Sequence, residues 1–274
     1  RIESLANIEI TNELLKLWCS SAGTSDFGVI RTTEQELFKI SLVEISNVRI
    51  RAIRPEATFL FEQVSTVKVK YAKNFEDAVQ VAQAFNKKIK PENGLRTLSI
   101  CQGNFRVRAL TAPELHTLRQ FDRLEELDLS RNWLEEMDTD AFVELFSTNL
   151  RLLKLNSNCL GKMKTEKLVA LTQGLKALTV LHLDSNKVKS LHANMFYRSL
   201  VELSLGFIEI SALRSGVFNG LDRLEKLALD ENQLKSLNDQ RLFAGLTSLQ
   251  HLTLRHNRLV SLHQNIFGQT ASLH

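Results

Sequence analysis

Cysteine is scarce: Cys19, Cys101 and Cys159 are the only three in 274 residues. They are too few and too scattered for a disulfide framework to carry a fold. No apolar run approaches the ~18 residues a membrane-spanning helix requires. No charged-then-apolar leader opens the chain, which passes from Arg1 into Ile2-Glu3-Ser4-Leu5. A charge surplus is missing as well. The 35 Lys and Arg against 31 Asp and Glu leave +4, too little to draw nucleic acid or an acidic membrane. Motifs that carry chemistry are also lacking. There is no Gly-rich phosphate loop, no H-E-x-x-H, no C-x-x-C, no nucleophile elbow, and no N-x-Ser/Thr glycosylation acceptor. These absences leave no catalytic residue, cofactor site or metal site to nominate, and the expectation is a protein that is not an enzyme.

Leucine is present in excess, and unevenly: 7 in residues 1–90 and 40 in residues 91–274. Such enrichment calls for a search for internal periods. The frame L-x-x-L-x-L-x-x-N-x-L runs through Leu124, Leu127, Leu129, Asn132, Leu134 and again through Leu150, Leu153, Leu155, Asn158, Leu160. It returns at Leu178, Leu181, Leu183, Asn186, Val188, at Leu224, Leu227, Leu229, Asn232, Leu234, and at Leu249, Leu252, Leu254, Asn257, Leu259. A copy at Leu200, Leu203, Leu205, Ile208, Ile210 lacks the asparagine. Weaker copies extend backwards to Leu95, to Val64 (with Ala72 at the asparagine place and Asn74 at a leucine place), to Ile40, and to a first one at Leu5, Ile8, Ile10, Glu13, Leu15, Trp18.

This frame is identified as the leucine-rich repeat. Its physical reading is independent of the name. The L-x-L core alternates, so two leucines point one way and the intervening residue the other, as on a half-buried strand. One unit cannot bury its leucines alone; stacked units form a parallel sheet over a continuous core. The asparagine stands where the chain leaves the strand, and its amide can satisfy backbone groups of neighbouring coils. Asn132, Asn158, Asn186, Asn232 and Asn257 are therefore expected to form a structural ladder.

The expected fold class is α/β: a leucine-rich-repeat solenoid with a curved parallel sheet on the concave side and loops and short helices on the convex side. It is read as one solenoid over 1–274, irregular in 1–94 and regular in 95–274. Late phenylalanines (Phe142, Phe196, Phe218, Phe243, Phe267) are expected to stack on the convex side, and resemble those of the short, typical repeat of extracellular proteins. Apolar spacing predicts convex helices over 75–89 and 162–175, and Ser, Thr and Gly predict a looped insertion over 19–35. Typical secreted repeats carry cysteine-rich caps. With none here, and with Leu273 opening another copy, the reading is a fragment of a longer chain.

Solenoids bind through the concave sheet, so outward strand residues are the candidates: Glu126, Asp128, Leu152, Lys154, Val180, His182, Asp184, and Phe207 at a strand end. Leu152 and Val180 form an apolar spot on a polar face, which is the signature of a partner hot spot. Asp128 is expected beside Lys154, and Glu202 beside Lys226. His182 and His251 lie three coils apart, roughly 14 Å at ~4.8 Å per strand, too far to share a metal ion.

The repeat style resembles arthropod secreted immune leucine-rich-repeat proteins and Toll-type receptor ectodomains. That resemblance implies a secreted or extracellular, membrane-anchored binding scaffold in innate immune recognition. Its expected partners are proteins, either complement-like or other leucine-rich-repeat proteins, with no nucleic acid and no membrane insertion by this segment. A cell-adhesion or neuronal receptor ectodomain, or a Toll-like receptor fragment, is the alternative.

Overall fold

In a computed structural model, the described residues are the strand backbones at 8–10, 19–21, 30–32, 42–46 and 50–53, and residues 64–273 apart from 73, 88, 90–93 and 104–107. Leu5, Glu13, Leu15, Trp18, Phe105 and most of 19–35 lie outside this set. The chain divides into two compact units, Arg1–Asn132 and Trp133–His274.

In the second unit, five three-residue strands pair in parallel and in chain order: Leu152–Lys154, Val180–His182, Glu202–Ser204, Lys226–Ala228 and His251–Thr253. The register aligns Leu153, Leu181, Leu203, Leu227 and Leu252 in one column. The next leucines, Leu155, Leu183, Leu205 and Leu229, are all fully buried. Removing such a side chain to Ala costs about 2–5 kcal/mol, so each column is a principal source of stability. The outer side of this core is aromatic. Phe218 stacks on Phe243 at 6.0 Å between ring centroids, and Phe243 on Phe267 at 5.8 Å. Helices occupy the return segments at Thr139–Phe146 and Thr165–Gly174. Asp138 caps the first of these through the Ala141 N–H, and Leu168 and Leu171 bury one face of the second.

The asparagines do the work their position implies. Asn186 donates from Nδ2 to the carbonyls of Leu155 and Leu183, both at 2.8 Å, while its Oδ1 accepts the Leu160 N–H. Asn232 donates to Leu205 and Leu229, and Asn257 to Leu229 and Leu254. Asn158 donates to Leu155 and accepts the Leu134 N–H. Where Ile208 replaces the asparagine, it is fully buried, and Asn232 of the following coil accepts the N–H groups of both Ile208 and Ile210.

The first unit carries the same parallel order in Leu42–Ser46, Thr66–Lys70, Thr97–Cys101 and Glu126–Asp128. The helix Phe75–Asn86 buries Phe75, Ala78, Val79, Ala82 and Phe85, the spacing its sequence shows. Asn74 does not serve as a leucine of the frame: its side chain caps this helix by accepting the Asp77 N–H at 2.7 Å. Asn132 donates to Ile100 and Leu129 and accepts the Gly103 N–H.

Two expectations for the N-terminal stretch are corrected. The first copy of the frame is not a parallel rung. Ile8–Ile10 forms a strand, but it pairs antiparallel with Ile30–Thr32. Nor is 19–35 simply a loop, because Cys19–Ser21 also forms a strand, antiparallel to Ile50–Ile53. Isoleucine and threonine favour extended backbone wherever a partner is found, and an antiparallel partner needs no crossover connection. Leucine spacing alone does not choose between the two kinds of pairing.

Candidate binding face

Strand register decides which side chains share the outward face of the second unit. One row reads Leu152, Val180, Glu202, Lys226, His251; the next reads Lys154, His182, Ser204, Ala228, Thr253. Leu152 and Val180 are direct neighbours, both half-buried, with their remaining apolar surface facing solvent. Beside them lies a charged trio. Glu202 accepts from His182 Nε2 at 2.9 Å on one oxygen and pairs with Lys226 Nζ at 3.4 Å on the other. Burial alone would push the Glu202 carboxyl up, but the hydrogen bonds from His182 and Lys226 outweigh it and hold the group below the ordinary carboxylate range. Lys154 has no salt-bridge partner among the described residues.

Two aspartates act across coils. Asp184 accepts the Ser204 hydroxyl at 2.6 Å and the Gly206 N–H at 2.8 Å. Asp230 accepts the Thr253 hydroxyl and the Arg255 N–H, both at 2.6 Å. A Cβ at 206 would stand 2.9 Å from Asp184 Oδ1, so a larger residue there would make that carboxylate shift, whereas the second bracket holds Arg255 at the equivalent place. At the strand exits the backbone turns left-handed, at Ser157, Ser185, Phe207, Glu231 and His256, with φ of 54–56°. At this position Phe207 is half exposed, and its N–H donates to the Asp230 carbonyl.

On the first unit, Glu126 accepts the Thr97 hydroxyl at 3.1 Å and Asp128 accepts the Ser130 N–H at 2.9 Å. Lys70 pairs with Glu44 at 2.7 Å; that hydrogen bond raises the lysine pKa. Cys101 is buried on the strand face, and burial pushes its thiol up despite a hydrogen bond with Ser99. Cys159 is half-buried and, like Cys101, a free thiol.

Comparison with known proteins agrees with this construction. Residues 198–259 match the family described as leucine rich repeat, and residues 123–145 match a second family of the same description. Keratocan of Mus musculus is 32% identical over 152 residues, which cover 55% of this chain and 42% of keratocan. Lumican of Bos taurus is 33% identical over 139 residues, 51% of this chain and 39% of lumican. The chain thus spans less than half the length of these relatives. Among solved structures, human 5T4 (trophoblast glycoprotein) matches with a TM-score of 0.58 at 20% identity, over 79% of this chain and 77% of that one. The TLR13–ssRNA13 complex matches with a TM-score of 0.55 at 22% identity, over 85% of this chain and 36% of the receptor. The Drosophila Toll–Spatzle complex matches at 0.51 and 16%, over 79% of this chain and 33% of that one.

The fold is the leucine-rich-repeat solenoid. Its second unit brings Leu152, Lys154, Val180 and His182 onto adjacent strands, with Asp184 and Phe207 at strand exits, while Glu126 and Asp128 belong to the first unit. Two features of the leucine-rich repeat escape the sequence reading. One is the Asp230 bracket, whose signal was the repeated placement of an aspartate two residues before an asparagine, in Asp184-Ser185-Asn186 and Asp230-Glu231-Asn232. The other is Trp133, 62% exposed just after Asn132, for which repeat position alone carries no signal.

Proposed function

We propose that this chain is an extracellular protein-binding scaffold, and that the outward strand face of its second unit docks a protein ligand. The observation that carries the reading is the Leu152–Val180 pair: two large apolar side chains, adjacent in register, on a face whose other strand positions, Ala228 apart, are polar or charged. Its border, Lys154 and the His182–Glu202–Lys226 trio, has the polar rim of a protein interface around an apolar centre. The bracketing aspartates and the asparagine ladder hold this surface rigid, which lowers the ordering cost of association.

The finer reading is innate immune recognition or assembly of a complement-like complex, with a secreted or membrane-anchored chain whose partner is a protein. It is supported by the likeness to the Toll–Spatzle complex, named as a hub in development and innate immunity, and by the phenylalanine-bearing repeat style. Among the described residues no helix is long and apolar enough to cross a membrane.

Affinity capture from extracellular fluid, read by mass spectrometry, tests the docking face. Wild type is expected to retain a defined protein that the Leu152→Glu/Val180→Glu variant loses, with the variant's thermal midpoint unchanged. Identical captured proteins with both chains would overturn the assignment.

A further inference from the structure

An exposed aromatic ring at the strand exits of the second unit sits among carboxylates, and this points to the chemistry of what touches it. Resting on the proposed protein-binding reading, we infer that Phe207, flanked by Asp184, Asp230 and Glu231, is a recognition point for an arginine side chain of the protein ligand.

The ring is held in place by the backbone around it. Gly206 donates to Asp184, Phe207 donates to the Asp230 carbonyl, and the Ile208 N–H goes to Asn232. A buried isoleucine follows the ring where other coils have asparagine, anchoring the turn from inside. Residue 207 is thereby fixed in the left-handed conformation with half its surface in solvent. Within the second unit phenylalanine is the odd residue at that place: the equivalent residues, Ser157, Ser185, Glu231 and His256, are all polar, whereas the first unit has another exposed aromatic, Tyr71, at its own exit. An apolar ring held rigidly in water has its use in contact with a partner.

Charge narrows the partner. Asp184 and Asp230 receive hydrogen bonds only from hydroxyl and amide donors, which leave their negative charge uncompensated. Glu231 is exposed one coil beyond Phe207 at the same register position, about 4.8 Å along the sheet. None of the three has a salt-bridge partner among the described residues. Basic groups bordering the patch include Lys187, already paired with Glu209 at 3.5 Å, Lys189, whose N–H reaches the Ile208 carbonyl, and, one coil beyond Asp230 and Glu231, Arg255 and His256. A negative field around an aromatic face selects a planar cation: the guanidinium stacks on the ring quadrupole while its edge N–H groups meet carboxylate oxygens.

Backbone NMR of the intact chain, titrated with N-acetyl-arginine methylamide and, separately, with its neutral citrulline analogue, tests this. The Gly206 and Phe207 amides are expected to shift saturably with the arginine probe, not with citrulline, and less at high salt. Phe207→Leu keeps apolar bulk without a ring face and is expected to weaken the response about two- to five-fold, the size of an exposed cation–π contact. Glu231→Gln is expected to weaken it to a similar degree. Equal shifts with both probes, or none, would overturn the inference. If Phe207→Leu captures the same protein as wild type and Leu152→Glu/Val180→Glu does not, the docking face stands and the arginine site falls. If arginine binds at Phe207 and no form captures a protein, the site stands and the docking reading falls.

Discussion

The two units solve one problem, closing a parallel coil, with different resources. In the second unit an asparagine side chain stitches every coil but the Ile208 one to the coil before it, and phenylalanines stack on the opposite side of the core. In the first, the copies at Ala72 and Gly103 have no asparagine, yet the exits at Tyr71 and Gln102 turn left-handed with φ of 57° and 56°. Their N–H groups still find the next strand's carbonyls, Tyr71 to Cys101 at 3.3 Å and Gln102 to Ser130 at 3.2 Å. The left-handed exit is thus a property of the parallel register, and asparagine stabilises it without being required for it. The first unit makes up the difference with longer strands, five residues in three of its four parallel strands against three in the second unit, and a twelve-residue helix packed behind them.

The largest effect should come from the aromatic stack. Phe243 is fully buried between Phe218 and Phe267, and Phe243→Ala is expected to cost about 3–5 kcal/mol in a urea titration. A loss under about 1 kcal/mol would mean the stack only decorates the core.

Next in size is the ladder. Asn232→Ala strands two buried carbonyls and the Ile208 and Ile210 N–H groups, for an expected loss of about 2–4 kcal/mol. Asn257, half-buried, should cost about 1 kcal/mol on the same change. Hydrogen exchange sharpens the contrast between units. The Ile208 and Ile210 amides should lose protection in Asn232→Ala, while those of Tyr71 and Gln102 keep theirs.

The smallest effect is electrostatic. Because the Glu202 carboxyl titrates below its unfolded value, its contribution is present above the unfolded pKa, near 4.3, and is lost as pH falls through the folded one. The group is partly solvated, so Glu202→Gln should remove no more than ~1 kcal/mol, and only at neutral pH. Equal loss at pH 3 and pH 7 would assign the effect to packing instead.

The regular coils were legible because leucine at a strand's inward positions has one physical use, and five in-register asparagines leave one geometry that satisfies them. The helices Phe75–Asn86 and Thr165–Gly174 were legible through apolar residues recurring at helical spacing, while Thr139–Phe146, too short for that period to stand out, was not. The N-terminal pairings were not. Ile8–Ile10 has the alternation of a rung, and alternation is blind to strand direction. The binding face was half legible: the Glu202–Lys226 neighbourhood follows from register, but the approach of His182 to Glu202 is diagonal across strands and depends on rotamers.

Composition and spacing settled that this chain builds coils around a shared aliphatic core, since leucines three and two residues apart can be buried only by stacking like units. Which carboxylates keep their charge unopposed, which ring stays in water and which strands run antiparallel emerged only from the folded chain. Those outcomes depend on contacts between residues twenty or more positions apart, where local periodicity carries no information and side-chain direction, distance and competing partners choose among arrangements of similar energy.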